Sequence, residues 1–207
     1  MQKRIAISMG DYNGIGPEAI LKILPQVELS DSTPVILGNI SVFNFYAKRF
    51  SRSFSSVHYM NSIKDIKEGQ INLLQCVNDD EISIEPGEIS KQAGLAAMKA
   101  IETGIDLCIR DETQALVTAP ISKEAVNLAG YHIPGHTEFL ARKTGTEQYL
   151  MLLVYEQLRV GMVTTHIPVS QVSTVIKTEN VLSSIKMIHQ ILQNDFNIET
   201  PHIAVMG

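Results

Sequence analysis

Short apolar runs alternate with longer amphipathic ones along this chain, and that rhythm restricts the fold more than any single residue does. "RIAISMG" (residues 4–10), "TPVILGN" (33–39) and "ALVTAP" (115–120) have the length and composition of strands. Between and after them lie helix-like stretches: "PEAILKIL" (17–24), "SVFNFYAKRF" (41–50), "SKQAGLAAMKAIETGIDLCIRD" (90–111) and "SKEAVNLAG" (122–130). Pro17 and Glu18 suit the first turn of a helix, Ser90 and Ser122 suit N-caps, and Gly130 suits a helix stop. "SSVHYM" and "INLLQCV" are strand candidates within an otherwise irregular stretch, residues 51–88. Further on, "YLMLLVYE" and "LRVGMVTTH" read as two strands. Residues 178–196 read as an amphipathic helix with Val181, Leu182, Ile185, Ile188 and Leu192 on one stripe, and "HIAVMG" (202–207) as a last strand. Strands alternating with helices predict an α/β fold with a largely parallel sheet. "ALVTAP", apolar throughout, is expected to be a buried strand. A last strand ending in glycine with no helix after it suggests the front part of a longer protein.

Composition excludes several classes. The chain has 207 residues, 44% hydrophobic and 19% charged, which suits a globular protein with a real core. A net charge of -5 gives no reason to expect nucleic acid or an anionic membrane as partner. No apolar run reaches the length of a membrane span, and the N-terminus lacks a signal peptide's apolar stretch. Cys76 and Cys108 lie far apart in apolar surroundings and read as buried free thiols of a reducing compartment, so the expected location is the cytoplasm.

"GDYNGIGPEA" (10–19) fits the loose dinucleotide pattern G-x-G-x-x-G/A after a strand. The pyrophosphate of a dinucleotide rests on free backbone N–H groups at a helix start. Pro17 has no N–H, and Glu18 puts a negative charge where the phosphates would lie. Two readings stay open: a tight turn into a helix, or a different ligand loop with Asp11 exposed at the strand's end.

Six histidines divide unevenly. His58 and His202 read as structural or surface residues, and His189, at the edge of an apolar stripe, as a core residue. His132 and His136 are four apart, but Pro134 and Gly135 between them prevent the continuous helix that zinc chelation would need. Residues 135–138, Gly-His-Thr-Glu, are better read as the start of a helix running through "EFLARKTG". There an imidazole, a hydroxyl and free N–H groups could converge on a phosphate or carboxylate. The plainer alternative is a helix capped by Glu138 with an incidental histidine. His166 closes "LRVGMVTTH", where a strand leaving an α/β sheet lines a ligand crevice. Lys123 could hold a phosphate, act as acid or base, or be a solvated lysine.

Taken together, "GDYNGIGPEAIL", "SKQAGLAAMKAIETGIDL", "VTAPISKEAVNLAGYHIPGHTEFLA", "TTHIPV" and "PHIAVMG" resemble the 4-hydroxythreonine-4-phosphate dehydrogenase family of pyridoxal 5'-phosphate biosynthesis. The resemblance implies the isocitrate/isopropylmalate dehydrogenase type of α/β fold, two domains flanking a cleft, with residues 1–125 in the first and 126–207 in an incomplete second. It implies His136 and Thr137 as substrate-binding residues and His166 as one of three histidines binding a divalent metal (zinc, cobalt or magnesium, with histidine ligands favouring the first two). It also implies NAD as cofactor, a small phosphorylated substrate and a homodimer with its site near the subunit interface. The second metal histidine of the family would follow the segment matching "IAVMG", beyond Gly207. The parent protein is therefore expected to be an oxidoreductase and the 207-residue chain alone inactive. Tyr12-Asn13, where relatives often carry Pro-Ala, is expected to be turn variation. Rival expectations are a dehydrogenase of another phosphorylated hydroxy acid, an acyl- or phosphotransferase, and a non-catalytic phosphate-binding fragment.

Overall fold

A sheet of five parallel strands, in the order β3-β4-β2-β1-β5, carries the first part of the molecule. The computed structural model describes residues 2–133 and 135–206. The strands are β1 (Lys3–Ser8), β2 (Ser32–Gly38), β3 (His58–Met60), β4 (Asn72–Gln75) and β5 (Ala115–Thr118). Helices α1 (Gly16–Ile23), α2 (Ile40–Arg49) and α3 (Lys91–Ile109) make the crossovers, followed by α4 (Lys123–Leu128) and α5 (His136–Thr144). The chain moves one way across the sheet from β1 to β3 and the other way from β4 to β5. Right-handed crossovers therefore put α1 and α2 on one face and α3 on the other. The reversal makes the crevice beyond the carboxyl ends of β1 and β5 a switch point, where ligands bind in open α/β sheets.

The core follows from the sequence. Ala6, Val35, Ile36, Leu37 and Leu73 on the strands meet Val42, Phe43, Ala93, Ala96 and Ala100 on the helices, all buried. The alanines and glycines of α3 permit close approach. A Cβ on Gly94 would lie 2.0 Å from the Ala125 carbonyl oxygen, so α4 sits almost backbone-to-backbone on α3. A second cluster, Met98, Ile101, Ile105, Val126 and Phe139, joins α3, α4 and α5. Ser90 and Ser122 cap α3 and α4 through their side-chain oxygens, as their positions predict, and Asn39 caps α2 in the same way.

The chain divides into two compact units, Met1–Thr144 and Gly145–Gly207. The expected boundary at 125/126 falls within α4, which packs on α3. In the second unit β6 (Met151–Tyr155) and β7 (Leu158–Met162) form an antiparallel hairpin, followed by α6 (Val169–Val175) and α7 (Thr178–Asn194). A Cβ on Gly161 of β7 would meet Ile188 of α7 at 2.4 Å, which fixes how closely this pair packs.

Several sequence expectations fail here for identifiable reasons. β5 is an edge strand with Val117 51% exposed, not a buried one, because its outer side has no neighbouring strand among the described residues. The strand expected at 202–207 is absent from 202–206, where Met206 is 90% exposed; Gly207 lies outside the described residues. His189 is exposed rather than a core residue, since within α7 only Leu192 is buried. Cys76 and Cys108 are half-buried free thiols, and burial pushes the Cys76 thiol up to about 12. None of the described helices is long and apolar enough to cross a membrane.

Candidate functional site

The glycine loop after β1 resolves into a structural turn. Gly10 has φ +70°, and a Cβ there would lie 2.3 Å from the Pro120 carbonyl oxygen. A Cβ on Gly16 would lie 2.3 Å from the Met9 carbonyl oxygen. These glycines bring the loop against its own strand and against the end of β5, which is sufficient reason for both. Asp11, expected to be exposed, is only 7% exposed, and its Oδ1 accepts the Asn13 N–H at 2.9 Å. Burial raises its pKa, while the N–H groups of Asn13 and Gly14 pull it back down. With Pro17 in the first turn of α1 and no side-chain cap there, the arrangement offers no dinucleotide cradle of the Rossmann kind.

Tyr12 and Asn13 do more than vary a turn. Tyr12 is fully buried; its carbonyl accepts the Tyr46 hydroxyl at 2.7 Å and its own hydroxyl accepts the Ser83 N–H. The Asn13 amide accepts the Glu85 N–H at 2.9 Å and donates to the Glu88 carbonyl at 3.1 Å. Together they fasten the segment that leads into α3. Sequence reading missed this because both partners lie more than 70 residues away.

The helix start at 135–138 is present as expected: α5 opens at His136, while Pro134 lies outside the described residues. His136 is half-buried, and its Nε2 is buried with no hydrogen-bond partner among the described residues. Burial holds its pKa below the ordinary imidazole value, and the positive charge of Lys123 lowers it further. Thr137 is also half-buried. The Glu138 Oε2 is buried without a donor and would lie 3.0 Å from a Cβ on Gly135, so this carboxylate folds back over the turn without capping it by a hydrogen bond. Lys123 is exposed at the first position of α4. The ring of Phe139 buries the other side of this turn, with Tyr131 edge-on at 6.1 Å and Arg142 5.6 Å above it. His132 is exposed, separate in character from the buried face of His136.

His166 belongs to the second unit. β7 ends at Met162, so His166 lies four residues past the strand rather than at its end. It is exposed, has φ +56°, a conformation uncommon for a non-glycine residue, and makes no hydrogen bond or ion pair among the described residues. No group of three or more His, Cys, Asp or Glu side chains that could hold a metal is assembled among the described residues.

A 4-hydroxythreonine-4-phosphate dehydrogenase from Bacteroides thetaiotaomicron is 34% identical over 208 residues, covering 99% of this chain and 56% of that protein. A D-threonate 4-phosphate dehydrogenase from Pectobacterium atrosepticum is 33% identical, covering all of this chain and 64% of its own length. The crystal structure of 4-hydroxythreonine-4-phosphate dehydrogenase from Klebsiella pneumoniae superposes with a TM-score of 0.83 at 30% identity, over 97% of this chain and 60% of that one. The chain thus spans somewhat over half the length of the relatives it matches. The family model described as pyridoxal phosphate biosynthetic protein PdxA matches residues 30–207, and the chain belongs to that family.

Proposed function

We propose that the protein carrying this chain is a dehydrogenase of pyridoxal phosphate biosynthesis that oxidises 4-phosphohydroxy-L-threonine with NAD and a divalent metal. A hydride leaves the carbon bearing the secondary hydroxyl for NAD, and the hydroxyl proton is released. The resulting 3-oxo acid loses carbon dioxide to give 3-amino-2-oxopropyl phosphate. The observation that carries the reading is the buried, unpartnered Nε2 of His136 at the start of α5, in a chain of this family. A buried polar atom without a partner is costly unless a ligand completes it.

On this reading His136 and Thr137 bind the phosphorylated substrate and orient its reacting carbon. Burial favours the neutral form of His136, which then contributes a ring hydrogen bond rather than a charge. His166 is the ligand this chain would offer the metal: an exposed imidazole with no protein partner among the described residues suits a zinc- or cobalt-type ion. Such an ion supplies Lewis-acid polarisation of the secondary hydroxyl when bound. Neither further metal ligands nor NAD contacts are assigned to this chain. The same reading makes the protein a cytoplasmic homodimer, with Leu153, Tyr155 and Leu158 of the exposed hairpin among the apolar residues a second copy would cover.

NADH formation from 4-phosphohydroxy-L-threonine, with and without added divalent metal, tests the proposal. His166→Ala is expected to abolish metal-dependent turnover. His136→Ala is expected to cost about 1.5–3 kcal/mol in kcat/KM, the range for a hydrogen bond to a charged group. Near-normal rates in both variants would remove these residues from their roles. A second reading, D-threonate 4-phosphate as substrate, draws on the Pectobacterium relative, which is almost equally similar. The ratio of kcat/KM for the two compounds decides between them.

A further inference from the structure

Asn13-Gly14 is the Asn-Gly pair of the sequence. Such a pair is open to a reaction of its own, because glycine has no side chain to hinder attack of its nitrogen on the neighbouring amide carbon. In this fold both reacting groups are held. The Gly14 N–H donates to the Asp11 carbonyl at 3.1 Å, and the Asn13 N–H to the Asp11 carboxylate at 2.9 Å. The Asn13 side-chain nitrogen donates to the Glu88 carbonyl at 3.1 Å and to Ser90 Oγ at 3.4 Å. Its side-chain oxygen accepts the Glu85 N–H at 2.9 Å, and its backbone carbonyl accepts the Gly87 N–H at 2.8 Å. What holds Asn13 is itself lightly held. Residues 82–90 form no helix or strand, and Ser83 and residues 85–89 are exposed. Ile82 and Ile84, both half-buried, are the residues of this strap that pack against the core. A segment that buries so little opens at lower free energy than the strands beneath it.

We propose that Asn13 is a latent deamidation site, closed by the strap of residues 82–90 and reactive when the strap lifts, and that its conversion releases the strap permanently. The Gly14 nitrogen bonds to Asn13 Cγ, the bond from Cγ to Nδ2 breaks, and Nδ2 leaves as ammonia carrying the Gly14 proton. Water then opens the cyclic imide at either carbonyl, giving aspartate or isoaspartate. Aspartate still accepts the Glu85 N–H but has no donor for the Glu88 carbonyl, so oxygens that only accept are left facing each other. Isoaspartate lengthens the main chain by one carbon and moves the Gly14 N–H out of its turn. The step needs neither substrate nor metal, so it stands apart from the dehydrogenase reading.

Peptide mass mapping of the chain aged in mildly alkaline buffer reads the conversion at Asn13. It is expected to run at least tenfold slower in the folded chain than in strongly denaturing urea. Low urea should speed it in step with hydrogen exchange of the Glu85 and Gly87 amides, before the β1 amides open. Gly14→Ala, whose Cβ would meet the Asp11 carbonyl at an ordinary 3.5 Å, should slow conversion at least tenfold, folded or unfolded, and leave strap exchange unchanged. In Asn13→Asp the Glu85 and Gly87 amides should exchange at least tenfold faster while those of β1 keep their rates. The aged and converted fraction of the unsubstituted chain, separated by charge, gives the same reading if that variant does not fold. Equal rates in folded and unfolded chains would show that the strap guards nothing. Conversion that tracks β1 opening would overturn the gating, and unchanged strap exchange after conversion would overturn the release.

Discussion

Asn13 is 3% exposed, and both ends of its amide are used. Replacing it with alanine strands the Glu85 N–H and the Glu88 carbonyl, so Asn13→Ala is expected to destabilise the fold by about 1–3 kcal/mol. Urea titration reads this directly, and a loss below about 0.5 kcal/mol, the range of ordinary surface substitutions, would mean that water replaces the amide. His136 gives a prediction of the opposite kind, in pH. Its folded-state pKa lies below the value of a free imidazole, first through burial and then through Lys123. The unfolded chain therefore binds the proton more readily, and this residue's contribution to stability is lost as pH falls below about 6.5. Chemical-shift titration should put its midpoint below that of a free imidazole, about 6.5, and Lys123→Gln should raise it only part of the way. A midpoint at or above that of a free imidazole would contradict the buried geometry. The sequence marked His136 by its neighbours, but not Asn13: its spacing says turn, and its importance comes from partners more than 70 residues distant.

Helices α3 and α4 show what one residue can set for a whole element. At Gly94 an added Cβ would collide with backbone, 2.0 Å from the Ala125 carbonyl, whereas at Gly104 it would meet the Leu116 side chain at 2.5 Å. Backbone cannot yield without moving α4, while a leucine end can rotate. Gly94→Ala is thus expected to cost more than Gly104→Ala, by about 1–3 kcal/mol, the usual range for overpacking. Thermal melts of the two variants check the order, and equal losses would show that α4 slides freely. Most elements were legible in the sequence because their signals are local: Ser90, Ser122 and Gly130 mark ends that the structure keeps. β5 was misjudged because a short apolar run has the same composition whether it lies inside a sheet or at its rim. α6 was missed because seven residues, Val169–Val175, with no buried side chain carry no periodic stripe to detect.

The two units hold their structure by very different amounts of buried apolar surface. The first has a continuous core running from Ala6 to Ala119, plus the cluster around Met98 and Phe139. In the second, Leu192 is the fully buried hydrophobic residue among those described, and Leu153, Val154, Tyr155 and Leu158 of the hairpin face solvent. Burial contributes about 25 cal/mol for each Å² of apolar surface removed from water, so openings of the second unit should require far less free energy. Amide hydrogen exchange is expected to be slowest in β1, β2, β4 and α3. The hairpin and α7 should exchange through lower-energy openings that urea promotes at lower concentration. A single midpoint shared by both units would show that they unfold together. His166 lies in the weaker unit and His136 in the stronger. The amides around His166 are therefore expected to exchange through lower-energy openings than those around His136, and equal protection of the two would show that the second unit is held as firmly as the first.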